Sequence, residues 1–222
     1  MPTQPLPITG DDVDAADRAV RYELATLHFR LHRADAALDG IEPWVRAPEA
    51  GGELLGCWYS EHGPLGRAYV LRAFDDDAAL AAERERAARS PHPFGAGEHL
   101  TDLRMCGFAP FPFVPRVIPG QFGRVYEIRD YHLVPGGLPE TIDGWRQRLP
   151  GRHVVDPLTV VMYALDGPAR IVHIWPFDSL DERVTVRREL YESNRWPPPG
   201  GPENILGAES IMAWPTAFSP LS

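Results

Sequence analysis

The stretch IVHIWPF, residues 171–177, sets an imidazole and an indole where a core strand ordinarily carries aliphatics. Successive strand side chains point to opposite faces, so His173 and Trp175 share a face with Ile171 and Phe177, while Val172 and Ile174 share the other. The segment VYEIRDYHL, residues 125–133, splits the same way, with Tyr126 and Ile128 on one side and Glu127, Arg129 and Tyr131 on the other. Together, Glu127, Arg129, Tyr131, His173 and Trp175 would combine an acid, a cation, a phenol, an imidazole and a large ring. In that set His173 serves as general base or acid, Glu127 fixes its tautomer, Arg129 steadies a developing oxyanion, and Tyr131 and Trp175 form the walls. We expect Val172 and Ile174 to pack on helices and the polar set to face the interior of a barrel. The blander reading of the same residues is a Glu127–Arg129 ion pair and a hydrogen-bonded core histidine, since buried charges need partners whatever the function.

Tyr163, Glu23, Arg72, Trp58, His62 and Arg187 complete the expected substrate-binding set. His62 follows Glu61 at a hairpin tip that would overhang the barrel mouth. Arg187 lies on one helical stripe with Leu180, Val184 and Tyr191, and Arg84 holds the matching place earlier in the chain. A repeated arginine points to a fixed contact with backbone carbonyls or a carboxylate as well as to substrate. His28 and His32 are four residues apart, which on an extended segment separates them by roughly 13 Å, too far to share one ion. There is no Gly-rich phosphate loop and no Gly-x-Ser-x-Gly elbow, so neither metal nor nucleotide cofactor is expected.

The 222 residues carry a net charge of −9, which argues against a nucleic-acid partner, and all 22 basic residues are arginine, gathered into no single tract. No apolar run reaches the roughly 18 residues of a membrane span, and the N-terminus lacks the cationic start and apolar core of a targeting signal. Cys57 and Cys106 are too few and too far apart for a zinc ribbon or a redox pair. The expectation is a cytoplasmic protein with two reduced thiols.

The elements that must position these residues come in two copies. Tyr22, Glu23 and His28 match Tyr126, Glu127 and His132; Arg67, Phe74 and Asp75 match Arg170, Phe177 and Asp178; Pro110 and Phe113 match Pro215 and Phe218. Each copy reads strand, helix, strand, strand, helix, strand. Leu138, Ile142, Trp145 and Leu149 form one apolar stripe of the first helix in copy two, as Ala34, Leu38, Ile41 and Val45 do in copy one. Hairpin turns are expected at Gly63–Pro64 and Asp166–Gly167, and Ser179 with Glu182 makes a capping box for the second helix, which ends before the Pro-rich run at 197–199. The order defines an α+β fold of tandem ferredoxin-like (βαββαβ) domains. A lone unit leaves one sheet face bare, so the two sheets should pack together as an intramolecular pseudo-dimeric α/β barrel. We expect a flexible tail over 1–19, repeat one over 20–114, a linker over 115–123 and repeat two over 124–222. In copy one Ala25, Val70 and Arg72 replace Arg129, His173 and Trp175, so any active site should favour copy two.

The motifs YEIRDYHLVPGGLPETIDGWRQRLPGR (126–152), IVHIWPFDSLDERVTVRREL (171–190) and IMAWPTAFSPL (211–221) resemble those of the NIPSNAP family. The similarity covers copy two throughout and copy one more faintly, from about Arg21 to Val114. It implies a dimeric α/β-barrel fold. Eukaryotic members are associated with mitochondria and protein partners, but this sequence shows no mitochondrial-type leader, so that role is not carried over. The wider fold superfamily includes cofactor-free monooxygenases, isomerases and cyclases acting on hydrophobic molecules. Two readings follow: an enzyme of bacterial secondary metabolism that binds a hydrophobic small molecule and transforms it by proton transfer, cyclisation or oxygenation, or a non-catalytic ligand carrier or protein-interaction module. Covalent duplication removes the need to dimerise to close the barrel, although a homodimer stays possible.

Overall fold

The computed structural model describes residues 4–60, 62–63 and 65–222. Copy one supplies β1 (Arg21–Phe29), α2 (Ala34–Val45), β2 (Glu53–Ser60), β3 (Arg67–Phe74), α3 (Asp77–Arg89) and β4 (Leu100–Pro110), preceded by a short α1 (Ala15–Ala19). Copy two supplies β5 (Val125–Leu133), α4 (Leu138–His153), β6 (Val160–Ala164), β7 (Arg170–Phe177), α5 (Leu180–Glu192) and β8 (Ile205–Pro215). The duplication reaches local detail: β1 and β5 are each nine residues long, and each has a bulge against the last strand of its copy, at His28/Phe29 and His132/Leu133.

The two sheets join edge to edge rather than merely stacking, closing a barrel in the order β1-β3-β2-β8-β5-β7-β6-β4. The seams differ. β4 meets β6 through Phe108, Ala109 and Pro110, and Arg84 clamps that seam by bonding Asp166 Oδ2 at 2.7 Å and the Met105 carbonyl at 3.0 Å. β2 pairs with β8 through Trp58 and Tyr59, and the Ser60 hydroxyl donates to the Met212 carbonyl beside them at 2.6 Å. The repeated arginine therefore makes the carboxylate and carbonyl contacts in copy one.

Helix boundaries follow the chain's chemistry. Asp76 and Ser179, at equivalent places, each accept a backbone N–H three residues on, which satisfies a donor left free at a helix start. In the Ser179–Glu182 box the glutamate reaches back to the N–H of Asp178. Gly167 closes the 165–169 turn with φ 73°, as expected of a turn glycine, whereas Pro64 of the other expected turn and Glu61 lie outside the described residues.

Which face points inward is the main correction to the sequence reading. The barrel interior is filled by Tyr22, Leu24, Trp58, Leu71, Phe108, Tyr126, Ile128, Met162, Val172 and Ile174 among others, with Val117 and Leu221 packed against them. Val172 and Ile174 thus face the barrel, while His173, Trp175, Glu127, Arg129 and Tyr131 face the helices of copy two. The physical reason is supply of partners: inward positions converge from all eight strands on a narrow space, where a charge would meet other strands' aliphatic and aromatic side chains and no opposite charge. The outer face meets α4 and α5, which bring Arg152 and Arg183, and the loop after α4, which brings Asp156.

Residues 4–19 of the expected tail and the linker both make packing contacts. In the stretch before Val20, Ile8 is buried beside Trp145 and Leu149, the Leu6 carbonyl accepts from His153, and Arg146 bonds the Gly10 carbonyl and Asp12. The linker lies over one end of the barrel, where the Val117 N–H donates to the Tyr22 hydroxyl. Among the described residues no helix is long and apolar enough to cross a membrane.

Candidate functional site

The strand registers place Arg129 opposite His173 and Glu127 opposite Trp175. Glu127 is fully buried, and its Oε1 accepts from Arg129 Nε at 2.9 Å, Arg183 Nη2 at 2.5 Å and the Ser210 hydroxyl at 2.5 Å. Burial alone would raise its pKa, but the Arg183 hydrogen bond, the Arg129 charge and Ser210 outweigh it and hold the carboxyl at about 2. Glu127 is therefore an ionised hub for two arginines.

It does not orient His173, which corrects the expected dyad. His173 Nδ1 accepts from Trp175 Nε1 at 2.6 Å, so its ring proton sits on Nε2, which is buried with no partner. Burial, reinforced by the charges of Arg129, Arg152 and Arg187, holds the pKa of His173 well below the ordinary imidazole value. The ring is neutral and packs edge-on against Tyr131 and Trp145, each 4.8 Å between centroids. Behind it, the Arg152 guanidinium lies 3.5 Å from the Trp175 ring centre and pairs with Asp156 at 2.5 Å.

Above this charged floor lies a cavity of about 240 Å³ between the sheet and the helices, lined by Tyr131, Thr141, Trp145, Ile171, Tyr191, Trp196, Pro197, Pro198, Gly201, Pro202 and Ile205. α4 supplies Thr141 and Trp145, the end of α5 supplies Tyr191, and the Pro-rich run that follows forms the outer wall. That run can seat because position 144 is glycine: a Cβ there would lie 2.2 Å from the Pro199 carbonyl oxygen. Tyr131 joins floor to cavity. Its hydroxyl oxygen accepts from Arg129 Nη1 at 2.6 Å, which leaves its own proton available, and burial raises its pKa against the opposing charges of Arg129 and Arg187.

Of the expected site residues, Tyr131 lines this cavity, His173 and Trp175 lie beneath it, and Arg187 stands beside Tyr191, 5.5 Å from its ring centre. The remainder are placed elsewhere. Trp58 fills the barrel against Tyr126, Tyr163 packs near the β4–β6 seam, and His62 lies against the exposed Trp214 near the β2–β8 seam. Glu23 and Arg72 form a buried network with Glu83 in copy one. The cavity walls Trp196, Pro197 and Pro198 were missed, since the Trp-Pro-Pro-Pro-Gly-Gly run reads only as a helix stop. Copy one fills the equivalent space with Phe94, fully buried among Leu27, Ala37 and Ile41.

Eight strands closed from two βαββαβ halves, with helices outside and a cavity beneath them, define a pseudo-dimeric α/β barrel. The NIPSNAP family model matches residues 22–94 and 126–220, once in each copy, and the chain belongs to that family. It is 22% identical over 187 residues to a NipSnap homolog from Dictyostelium discoideum, covering 82% of this chain and 81% of that protein. Among solved structures it is similar to an anthrone oxidase-like protein, with a TM-score of 0.63 and 13% identity over 92% of this chain and 95% of that one. A NIPSNAP family protein from Agrobacterium tumefaciens is 32% identical, with a TM-score of 0.42 over 47% of this chain and all of that one.

Proposed function

We propose that the protein binds a hydrophobic, ring-bearing small molecule in the copy-two cavity, where the Tyr131 hydroxyl donates a hydrogen bond or a proton to it. The observation that carries this reading is the cavity's make-up. Trp145, Trp196, Ile171 and three prolines offer flat apolar walls, and Tyr131, held by Arg129, supplies a fixed polar contact. The description of the barrel relative as anthrone oxidase-like supports ring-bearing molecules as the class to try first. Any turnover runs through Tyr131 rather than His173, because His173 does not line the cavity and its Nδ1 is already occupied. That same burial of His173 favours the second reading, a carrier that releases its ligand unchanged.

Calorimetric titration of the intact chain with a panel of naphthalene and anthracene derivatives tests the reading, alongside Ile205→Trp, which fills the cavity from its rim. Binding that is lost in Ile205→Trp with the circular dichroism spectrum retained supports the cavity. Undiminished binding by that variant overturns it. Chromatography of the recovered ligand after aerobic incubation separates turnover from carriage.

A further inference from the structure

The floor beneath the cavity does not balance its charge. Four guanidinium groups, Arg129, Arg152, Arg183 and Arg187, surround it, against the two carboxylates Glu127 and Asp156. Arg129 and Arg183 share Glu127, and Arg152 takes Asp156. Arg187 makes no ion pair among the described residues, and its Nη1 is buried without a hydrogen-bond partner. His173 cannot compensate, being neutral or, if protonated, a further cation. Arg187 is half-buried, and its enclosed Nη1 is costly to leave without an acceptor.

The position of the surplus matters as much as its sign. Arg187 lies over Tyr191, and Arg129 is bonded to Tyr131, so a cation backs each of the two tyrosines that line the cavity. The corresponding arginine of copy one, Arg84, has its carboxylate in Asp166. In copy two no carboxylate among the described residues takes that place.

Resting on the cavity reading above, we infer that the ligand is an apolar, ring-bearing molecule with one acidic group, a carboxylate or ionised phenol, whose charge is met by Arg187 while its oxygen accepts from Tyr131. Trp145 and Trp196 hold the rings. The pairing is a charge-assisted hydrogen bond, and such bonds are about twice as strong as neutral ones.

Isothermal titration calorimetry with 2-naphthoate, 2-naphthylmethanol and 2-naphthylmethylamine on the intact chain tests this, because the three share a ring system and differ in charge. The acid should bind about tenfold or more tightly than the alcohol at low salt, the ammonium most weakly, and the acid's advantage should shrink as salt rises. Arg187→Gln should bring the acid to the alcohol's affinity and leave the alcohol unchanged. Equal binding of acid and alcohol by the unaltered protein overturns the inference and leaves the cavity reading standing. An acid preference that survives Arg187→Gln overturns the assignment to Arg187. Failure of all three probes at millimolar concentration overturns the cavity reading, and the inference falls with it.

Discussion

The indole N–H of Trp175 donates to Nδ1 of His173 at 2.6 Å, two residues away on the same face of β7. This bond, and not a carboxylate, sets the histidine tautomer. It also explains why an indole sits there, since a smaller phenylalanine would leave Nδ1 unmet and part of the volume empty. Trp175→Phe should therefore destabilise the protein by about 1–3 kcal/mol, the usual cost of orphaning a buried acceptor, read from urea unfolding. A change below 0.5 kcal/mol would show that the bond contributes nothing.

Acid should weaken the fold as the pH falls through the ordinary imidazole range. His173 and His153 are both held below the ordinary imidazole value, each chiefly by burial. The unfolded chain takes up a proton near pH 6.5 that the folded one refuses, so this stability is present above that pH and is lost as pH falls. Each imidazole should remove up to about 1.4 kcal/mol per pH unit below 6.5. Urea midpoints measured from pH 7.5 to 5.5 should fall, and His153→Gln, able to keep the bonds to the Leu6 carbonyl and the Leu158 N–H, should flatten the slope. A midpoint independent of pH would remove both residues from the argument.

Glu127→Gln keeps an acceptor for Ser210 but strips the charge that Arg129 and Arg183 share. The predicted loss is about 2–4 kcal/mol, below the full cost of breaking a buried pair because Arg183 reaches solvent and can turn outward. Double-mutant cycles with Arg183→Gln should show coupling, and additive losses would contradict the shared hub.

Gly144→Ala forces the Pro199 carbonyl away from α4. Overpacking of this kind costs about 1–3 kcal/mol. Because the displaced run carries Trp196, the emission maximum should move to the red and ligand affinity should drop together. An unchanged emission maximum with normal affinity would show that this contact does not shape the cavity.

Much of the architecture is legible in the sequence because duplication doubles every signal. The strand and helix order of each copy, the Ser179 cap and the apolar stripe of α4 all follow from motif and period. The side each stripe faces does not. Alternation sorts Val172 and Ile174 from His173 and Trp175, but inside and outside are decided by which face finds partners, and Arg152, Asp156 and Arg183 lie outside the strands whose alternation is read. The cavity stays hidden for a related reason. Its outer wall depends on a proline carbonyl resting on Gly144, a contact between segments about fifty residues apart that leaves no periodic trace. The Glu23 network shows the same effect in reverse: its equivalent, Glu127, keeps its place but draws different arginines.

Fusing the two halves into one polypeptide frees them from identical side chains. A symmetric pair must carry every substitution twice, whereas here one half plugs its hollow with Phe94 and the other keeps it open behind Trp196. On the proposed reading such a molecule holds its ligand in one half alone, so titration should saturate at one equivalent per chain with no cooperativity between halves.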